Sequence, residues 1–484
     1  MEPIFELALT LPLPGSGNLL RELHRQLRTA IVEGRLQPGT RLPATRRFAA
    51  IVGVSRNTAV AVYDMLQSQG YIDIRPGAGT FVAQHVRRLS LPTVDSHADP
   101  RLNRFWRNPP LPSPAFQPPY RFDFRIGLSD NSNFPYPIWQ RLLLRCQRRF
   151  AKLPTHYADP QGQASLRAAI AGHVSFARAV ACQSDDILIT TGIQQGLDLL
   201  ARILVTPGQT LVAMEDPGYQ PANIAFSAAG AQIIQVPVDS EGIRVENIPP
   251  QARVIYVTPT HQFPLGHTLS ISRRTALIEF AQRHQAVIVE DDYDSEFRYS
   301  RNPLDALQTL DRNGQVFYLG TFSKSLFPTL RLGFVVMPGW ARSALISAKR
   351  FSDWHSPVLE QETLASYITE GHLARHIRKM RKIYGDRHDT LISSINRHCP
   401  ALLEPISAPC GLHMTALLTD QRLQAEDIAE RATDIGMGLY ALTRYPIAKN
   451  RLNGFAFGLG MINSSCIDEA ISQLAALMRQ RRIG

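Results

Sequence analysis

Lys324 stands in Thr321-Phe322-Ser323-Lys324-Ser325-Leu326-Phe327-Pro328-Thr329-Leu330-Arg331-Leu332-Gly333, directly after the strand-like run Val316-Phe317-Tyr318-Leu319-Gly320. An amine held at a strand's end can form a Schiff base with an aldehyde, while hydroxyls at Thr321 and Ser323 and the guanidinium of Arg331 can hold a phosphate dianion. Pyridoxal 5'-phosphate is the aldehyde that uses both halves. Lys324 alone reads as a solvated surface charge; the whole string does not. The ring of such a cofactor needs an anion at its pyridine nitrogen to stay protonated and draw electrons. Glu290-Asp291-Asp292-Tyr293-Asp294 supplies it, following Ala286-Val287-Ile288-Val289, which reads as a buried parallel strand. Ligands of open α/β sheets collect at that C-terminal edge. Asp291 is expected on the ring nitrogen and Tyr293 at the ring hydroxyl.

Other elements must hold the phosphate and the ring face. Ile187-Leu188-Ile189-Thr190 reads as a strand, and Leu197, Leu199, Leu200 and Ile203 as the apolar face of the helix after it. The backbone N–H groups of Gly192, Ile193 and Gln194 would open that helix toward the phosphate. Tyr219, in Glu215-Asp216-Pro217-Gly218-Tyr219, can stack on the pyridine. Taken singly, a turn glycine and a core tyrosine explain Gly192 and Tyr219 as well. Together with Tyr157-Ala158-Asp159-Pro160-Gln161-Gly162 and Leu166-Arg167, these strings resemble a fold-type I, aspartate-aminotransferase-like domain from about residue 120 to the end. The resemblance implies an α/β body with a mostly parallel seven-stranded sheet and a small C-terminal α/β domain over about residues 375–484. It also implies Lys324 as the catalytic lysine, and it matches Tyr157 to a tyrosine that reaches the neighbouring subunit's phosphate.

The first ninety residues carry different chemistry. Residues 19–90 hold 11 arginines, no lysine and 4 acidic residues, so about seven of the formal net charge of +11 sits there, as a polyanionic partner would require. Leu20, Leu23, Leu27 and Ile31 mark one helix, and Phe48 and Ala49 belong to a second over residues 44–51. Val52-Gly53-Val54 turns the chain, and Ser55 caps a third helix with Ala59, Val60, Tyr63 and Leu66 on its inner face. That is a helix-turn-helix pattern, whose second helix enters the major groove by its first residues: Ser55, Arg56, Asn57 and Thr58. Two alternating runs around Pro76-Gly77-Ala78-Gly79 read as a β-hairpin wing.

Leu42-Pro43-Ala44-Thr45-Arg46, Val54-Ser55-Arg56-Asn57-Thr58 and Gly77-Ala78-Gly79-Thr80-Phe81-Val82 resemble the GntR family, whose DNA contacts carry over to Arg46, Arg56, Thr58 and Gly77, with Ser55 and Asn57 as helpers. Arg46 also reads as a surface ion-pair partner and Gly77 as a plain tight turn. A GntR-type head (residues 15–83) joined to an aminotransferase-like body (121–484) resembles the MocR-type subfamily, including its Thr258-Pro259-Thr260-His261-Gln262-Phe263-Pro264 string. The resemblance implies a homodimer joined head to tail. Phe263 stands where aminotransferases of this fold usually place an asparagine against the ring hydroxyl.

Residues 84–120 are dense in proline and read as a semi-extended spacer, with Phe105 and Trp106 as candidate docking residues. No run approaches a membrane span, and residues 1–14 lack the pattern of a secretory signal. Segment 5–13 is expected in neither core. The 5 cysteines, Cys146, Cys182, Cys399, Cys410 and Cys466, form no CxxC pair and suit a reducing cytoplasm and no metal site.

Two functions fit. A regulator would bind an operator in double-stranded DNA and sense an amino compound, or the cofactor itself, through a Lys324 aldimine. A working aminotransferase with an appended head would also use Lys324 as a general base. Such an enzyme grips its substrate carboxylate with an arginine near the C-terminus. The corresponding stretch, Leu452-Asn453-Gly454-Phe455-Ala456-Phe457-Gly458-Leu459-Gly460, has none, although Arg444 and Arg451 lie upstream. That departure favours the regulator.

Overall fold

The computed structural model describes residues 19–84, 99–107, 119–152, 156–299, 305–406, 410–445 and 452–480. Segment 5–13, Arg451 and most of the proline-rich joint lie outside these residues. Two compact units divide at Asp99 and Pro100.

In the first unit, helix α1 (Leu19–Val32) is followed by strand β1 (Arg41–Leu42), helices α2 (Thr45–Val52) and α3 (Arg56–Ser68), and strands β2 (Ile72–Arg75) and β3 (Gly79–Val82). Apolar side chains recurring every three or four residues bury Leu23, Leu27, Phe48, Val62 and Leu66 against Ile72 and Val82. Gly53 closes α2 with φ +73°, a left-handed conformation that turns the chain sharply into the next helix. Ser55 caps α3 by accepting the Thr58 N–H at 3.1 Å. The antiparallel strands run in the order β1-β3-β2, and Gly77 (φ +75°) lies in the turn between β2 and β3.

The second unit begins with β4 (Phe122–Asp123), α4 (Tyr136–Phe150), α5 (Ala164–Arg178), β5 (Ile187–Thr190) and α6 (Ile193–Leu204). It continues through β6 (Leu211–Asp216), α7 (Gln220–Ala228), β7 (Gln232–Asp239), β8 (Gly242–Ile243), β9 (Ala252–Val257), α8 (Ile271–His284) and β10 (Val287–Asp292). Next come β11 (Val316–Thr321), β12 (Gly333–Val336), α9 (Arg342–Asp353), α10 (Val358–Thr369) and α11 (His372–His398). Last are β13 (Leu403–Ile406), β14 (His413–Leu418), α12 (Ala425–Asp434), β15 (Met437–Gly438), β16 (Tyr440–Ala441), β17 (Gly454–Gly458) and α13 (Ser464–Gln480).

The large sheet has eight strands in the order β5-β12-β11-β10-β9-β6-β7-β8. It is mostly parallel, with β12 antiparallel to both its neighbours. The expected seven strands are joined by an eighth, the two-residue β8, which folds back on β7. Side-chain alternation splits the strands between two cores. Leu188, Phe317 and Leu319 pack with α6, α7 and α9, whereas Ile187, Ile189 and Tyr318 pack with α5 and α10. A second sheet, β13-β14-β17-β16, is covered by α11, α12 and α13 around Leu391, Met414, Phe455, Phe457 and Leu474. Strand β4 pairs with β15, so Phe122 and Phe124, early in the chain, belong to this C-terminal core. The turn holding Phe105 and Trp106 packs against α7.

Removing the α3 cap by Ser55→Ala should cost the head about 1 kcal/mol. Hydrogen exchange of the α3 amides should quicken about five-fold in that variant; unchanged protection would contradict the cap.

Candidate functional site

The C-terminal ends of β10 and β11, the N-terminus of α6 and the β16 region enclose a cavity of about 710 Å³. Its wall brings together Lys324, Asp291, Tyr293, Tyr219, Ile193, Gln194, Thr321, Ser323 and Arg331. Parallel pairing of Asp291 with Leu319 places both strand ends at one edge, and the loop after β11 turns Lys324 inward. Lys324 Nζ donates to the Gly127 carbonyl at 2.6 Å. Desolvation lowers its pKa, against the opposing pull of Asp294 and Asp291. The amine is therefore nearer to its neutral, nucleophilic form than an exposed lysine.

Asp291 is buried, and Oδ2 accepts the Tyr256 hydroxyl at 2.7 Å. Oδ1 is buried with no hydrogen-bond partner among the described residues. Burial pushes this carboxyl up to about 7, the Tyr256 hydrogen bond opposes the rise, and the nearby charges of Asp292 and Asp294 add to it. A buried acceptor without a donor is unfavourable, and a ring N–H or a proton would satisfy it.

Arg331 adopts a left-handed backbone (φ +51°) and donates to the Thr191 carbonyl at 3.2 Å. Gly192 (φ +75°) precedes α6, and a Cβ there would fall 2.9 Å from Arg331 Nη2, so only glycine lets the guanidinium lie against the helix start. That helix end and the arginine make a ready phosphate cradle. Thr321 Oγ1 accepts the Ser323 N–H at 3.1 Å, fixing the hydroxyl-bearing turn. Tyr219 sits edge-on to Phe263, with ring centroids 5.5 Å apart. The Tyr293 hydroxyl donates to the His261 carbonyl at 3.0 Å. Tyr157 lies outside the cavity of its own chain, 71% exposed against Trp354.

In the first unit, Arg46, Ser55, Arg56, Asn57 and Gly77 are exposed and Thr58 is half-buried. Ser55 and Thr58 hydroxyls meet at 2.8 Å and serve the cap, which leaves Arg56 and Asn57 as the outward polar pair on the first turn of α3.

A family model of bacterial regulatory proteins, gntR family, matches residues 19–82, and one of aminotransferase class I and II matches residues 146–430. The probable rhizopine catabolism regulatory protein MocR of Rhizobium meliloti is 34% identical over 94% of this chain and 92% of its own length. The chain belongs to the MocR-type regulators of the GntR family. The pyridoxine biosynthesis regulator PdxR of Corynebacterium glutamicum is 29% identical, with 94% of each chain covered. Among solved structures, Pyrococcus horikoshii kynurenine aminotransferase superposes with a TM-score of 0.69 at 29% identity, over 74% of this chain and 91% of its own. The MocR-type chain is thus a DNA-binding transcriptional regulator whose body has an aminotransferase fold, and pyridoxal 5'-phosphate is the cofactor its pocket fits.

The pocket also contains residues that sequence reading missed. Tyr256 shares a sheet face with Asp291 because Val289, two residues before Asp291, pairs with it across β9 and β10. Gly127 comes from the segment before α4, nearly two hundred positions from Lys324. His261 Nδ1 lies 2.9 Å from Asp294, and His413 Nε2 lies 3.0 Å from the Pro264 carbonyl. Burial first, then His261, pushes His413 down to about 3. Asp294 is thus bonded to the His261 ring beside Tyr293, and the His413 ring packs on His261 with centroids 4.6 Å apart. Arg444, which the sequence offered as a candidate upstream of the stretch 452–460, lines the cavity from the turn after β16.

Before the cofactor binds, a proton on Asp291 stabilises the fold. Its folded pKa of about 7 exceeds the ordinary 3.8, so that stability is complete below the ordinary value and is lost as pH rises through 7. Asp291→Asn cannot ionise. The stability of the cofactor-free variant over the cofactor-free parent should therefore grow by roughly 2 kcal/mol between about pH 5 and about pH 8. Thermal melts at the two pH values measure the gap; a constant gap would contradict the burial argument.

Proposed function

We propose that this regulator holds pyridoxal 5'-phosphate at Lys324 and senses a small amino compound that bears a carboxylate. The reading rests on one observation: the cavity that holds Lys324 and Asp291 is lined by two arginines from separate elements, Arg331 beside the helix N-terminus and Arg444 in the turn after β16. One suits the cofactor's phosphate. The other is left for a ligand, since among the described residues Arg444 lies over the Tyr440 ring, at 5.0 Å, and near Tyr445, and makes no ion pair with a carboxylate.

When bound, the cofactor supplies an electrophilic carbonyl carbon and an electron-withdrawing ring. The protein's residues set up that chemistry. Lys324, its pKa lowered by burial, gives up its proton more readily than an exposed lysine, and the Gly127 carbonyl orients Nζ. Asp291 Oδ1 would accept a ring N–H, and its charge would favour a protonated pyridine nitrogen. Arg331 and the N–H groups at Gly192, Ile193 and Gln194 hold the phosphate, assisted by Thr321 and Ser323, and Tyr219 covers the ring face. Tyr293 serves the ring hydroxyl, with Phe263 where an asparagine would add a second hydrogen bond. Tyr157 completes the phosphate site of the partner in a head-to-tail homodimer, which its exposure beside the exposed Trp354 supports. Arg46, Arg56, Thr58 and Gly77, helped by Ser55 and Asn57, contact the operator. An effector that binds one arrangement of the dimer more tightly than another shifts the heads through that difference in affinity.

The relatives named for rhizopine catabolism and pyridoxine biosynthesis support control of genes for small nitrogenous compounds. The retained lysine, ring carboxylate and phosphate arginine are also what an aminotransferase uses, so the experiment must separate the two readings. The loaded protein should absorb in the visible region and lose the band in Lys324→Ala. In Arg56→Ala the band should persist while DNA binding weakens. Arg444→Ala should raise the concentration of a carboxylate-bearing amino acid needed to perturb the band by about ten-fold to a hundred-fold. Rapid single-turnover conversion of the cofactor by one amino acid would reverse the ranking in favour of the enzyme.

A further inference from the structure

The body carries a surface of one sign. Helix α4 has arginines at 141, 145, 148 and 149 and no acidic residue, and the first part of α11, residues 372–382, has five arginines and lysines and again no acid. Arg141, Arg145 and Arg148 recur at helical spacing on one exposed face, as do Arg378, Lys379 and Lys382. The two rows are neighbours. Lys379 Nζ reaches the Asn133 carbonyl just before α4 at 3.5 Å, and Arg145 pairs with Glu370, which lies 3.4 Å from His372 at the start of α11. Arg375 then contacts His372 at 2.8 Å, continuing the positive surface along α11. Glu370 is the acidic residue among these contacts, and Arg145 already occupies it.

Solvated faces of ordinary proteins mix the two signs, because crowded like charges repel. A face on which cations so far outnumber acids is stabilised by a polyanion that replaces its counterions. This protein already meets one such polyanion through its first unit. We propose that the α4–α11 face of the body is a second DNA-contacting surface, which binds the sugar-phosphate backbone of duplex DNA without reading its sequence. Arg141 and Arg148 lie about 10 Å apart along α4 at the helical rise, a separation that lets them reach different phosphates. The inference rests on the regulator reading above, and it adds a contact that the head does not make.

Arg141, Arg148, Arg378 and Lys382 make no ion pair or side-chain hydrogen bond among the described residues, so replacing all four by alanine removes charge without breaking the fold. The test uses the full-length, cofactor-loaded protein and a random-sequence duplex of about 60 base pairs, titrated at several KCl concentrations. The quadruple variant should keep the visible band, bind at least about ten-fold more weakly at low salt, and lose about 3 to 4 from the slope of log affinity against log salt. If the quadruple variant binds like the parent while Arg56→Ala does not, the body surface is refuted and the head's role stands. If neither variant changes DNA binding, the regulator reading falls as well. If the quadruple variant changes the sedimentation size with the salt slope unaltered, the face joins copies of the chain and the proposal is wrong.

Discussion

A carboxylate buried at a sheet's C-terminal edge, with one oxygen lacking a partner among the described residues, is the constraint from which the rest of the body follows. Asp291 gains nothing for the cofactor-free fold by being ionised there: desolvation and the neighbouring Asp292 and Asp294 oppose its charge, and the Tyr256 hydroxyl offsets only part of the penalty. The position makes physical sense as half of an ion pair completed by a ring cation. The same edge collects Lys324 from the adjacent strand, and that amine is depressed by the same burial that raises the acid. Base and acid are thus driven toward their neutral forms in one pocket, ready for a ligand that carries both an electrophile and a basic nitrogen.

The parallel sheet makes this possible. Crossover helices return the chain so that β9, β10 and β11 end side by side, and the loops beyond them carry the polar groups. The antiparallel β12 then brings the Arg331 turn against the start of α6, where Gly192 leaves room for the guanidinium. The pocket's second wall comes from a different layer, through His413 on β14 and the turn after β16.

Much of this was legible in the chain because the chemistry is local. The strand and the lysine loop after it, the acidic strand end, the glycine before α6 and the capped recognition helix are each written within a dozen residues, and the structure puts the elements where those patterns point. Contacts between distant segments were not legible. Tyr256 meets Asp291 only once the strand register is fixed, and Gly127 meets Lys324 through a tertiary approach with no sequence signature. The stretch 452–460 holds no arginine for a carboxylate, and of the two arginines the sequence offered just upstream, Arg444 lines the cavity from the turn after β16. Phe122 and Phe124 join the C-terminal core although they open the body, because β4 pairs with a strand more than three hundred residues later. The eighth strand is too short to leave a periodic trace.

The proposed chemistry depends on attachment of the cofactor to one side chain. Borohydride reduction of the pyridoxal-phosphate-loaded protein, followed by peptide mapping in a mass spectrometer, reads that attachment directly. A pyridoxyl group on Lys324, and none at that peptide in Lys324→Ala, is the predicted result. Stable cofactor binding with the label on another lysine, or no label at all, would contradict it.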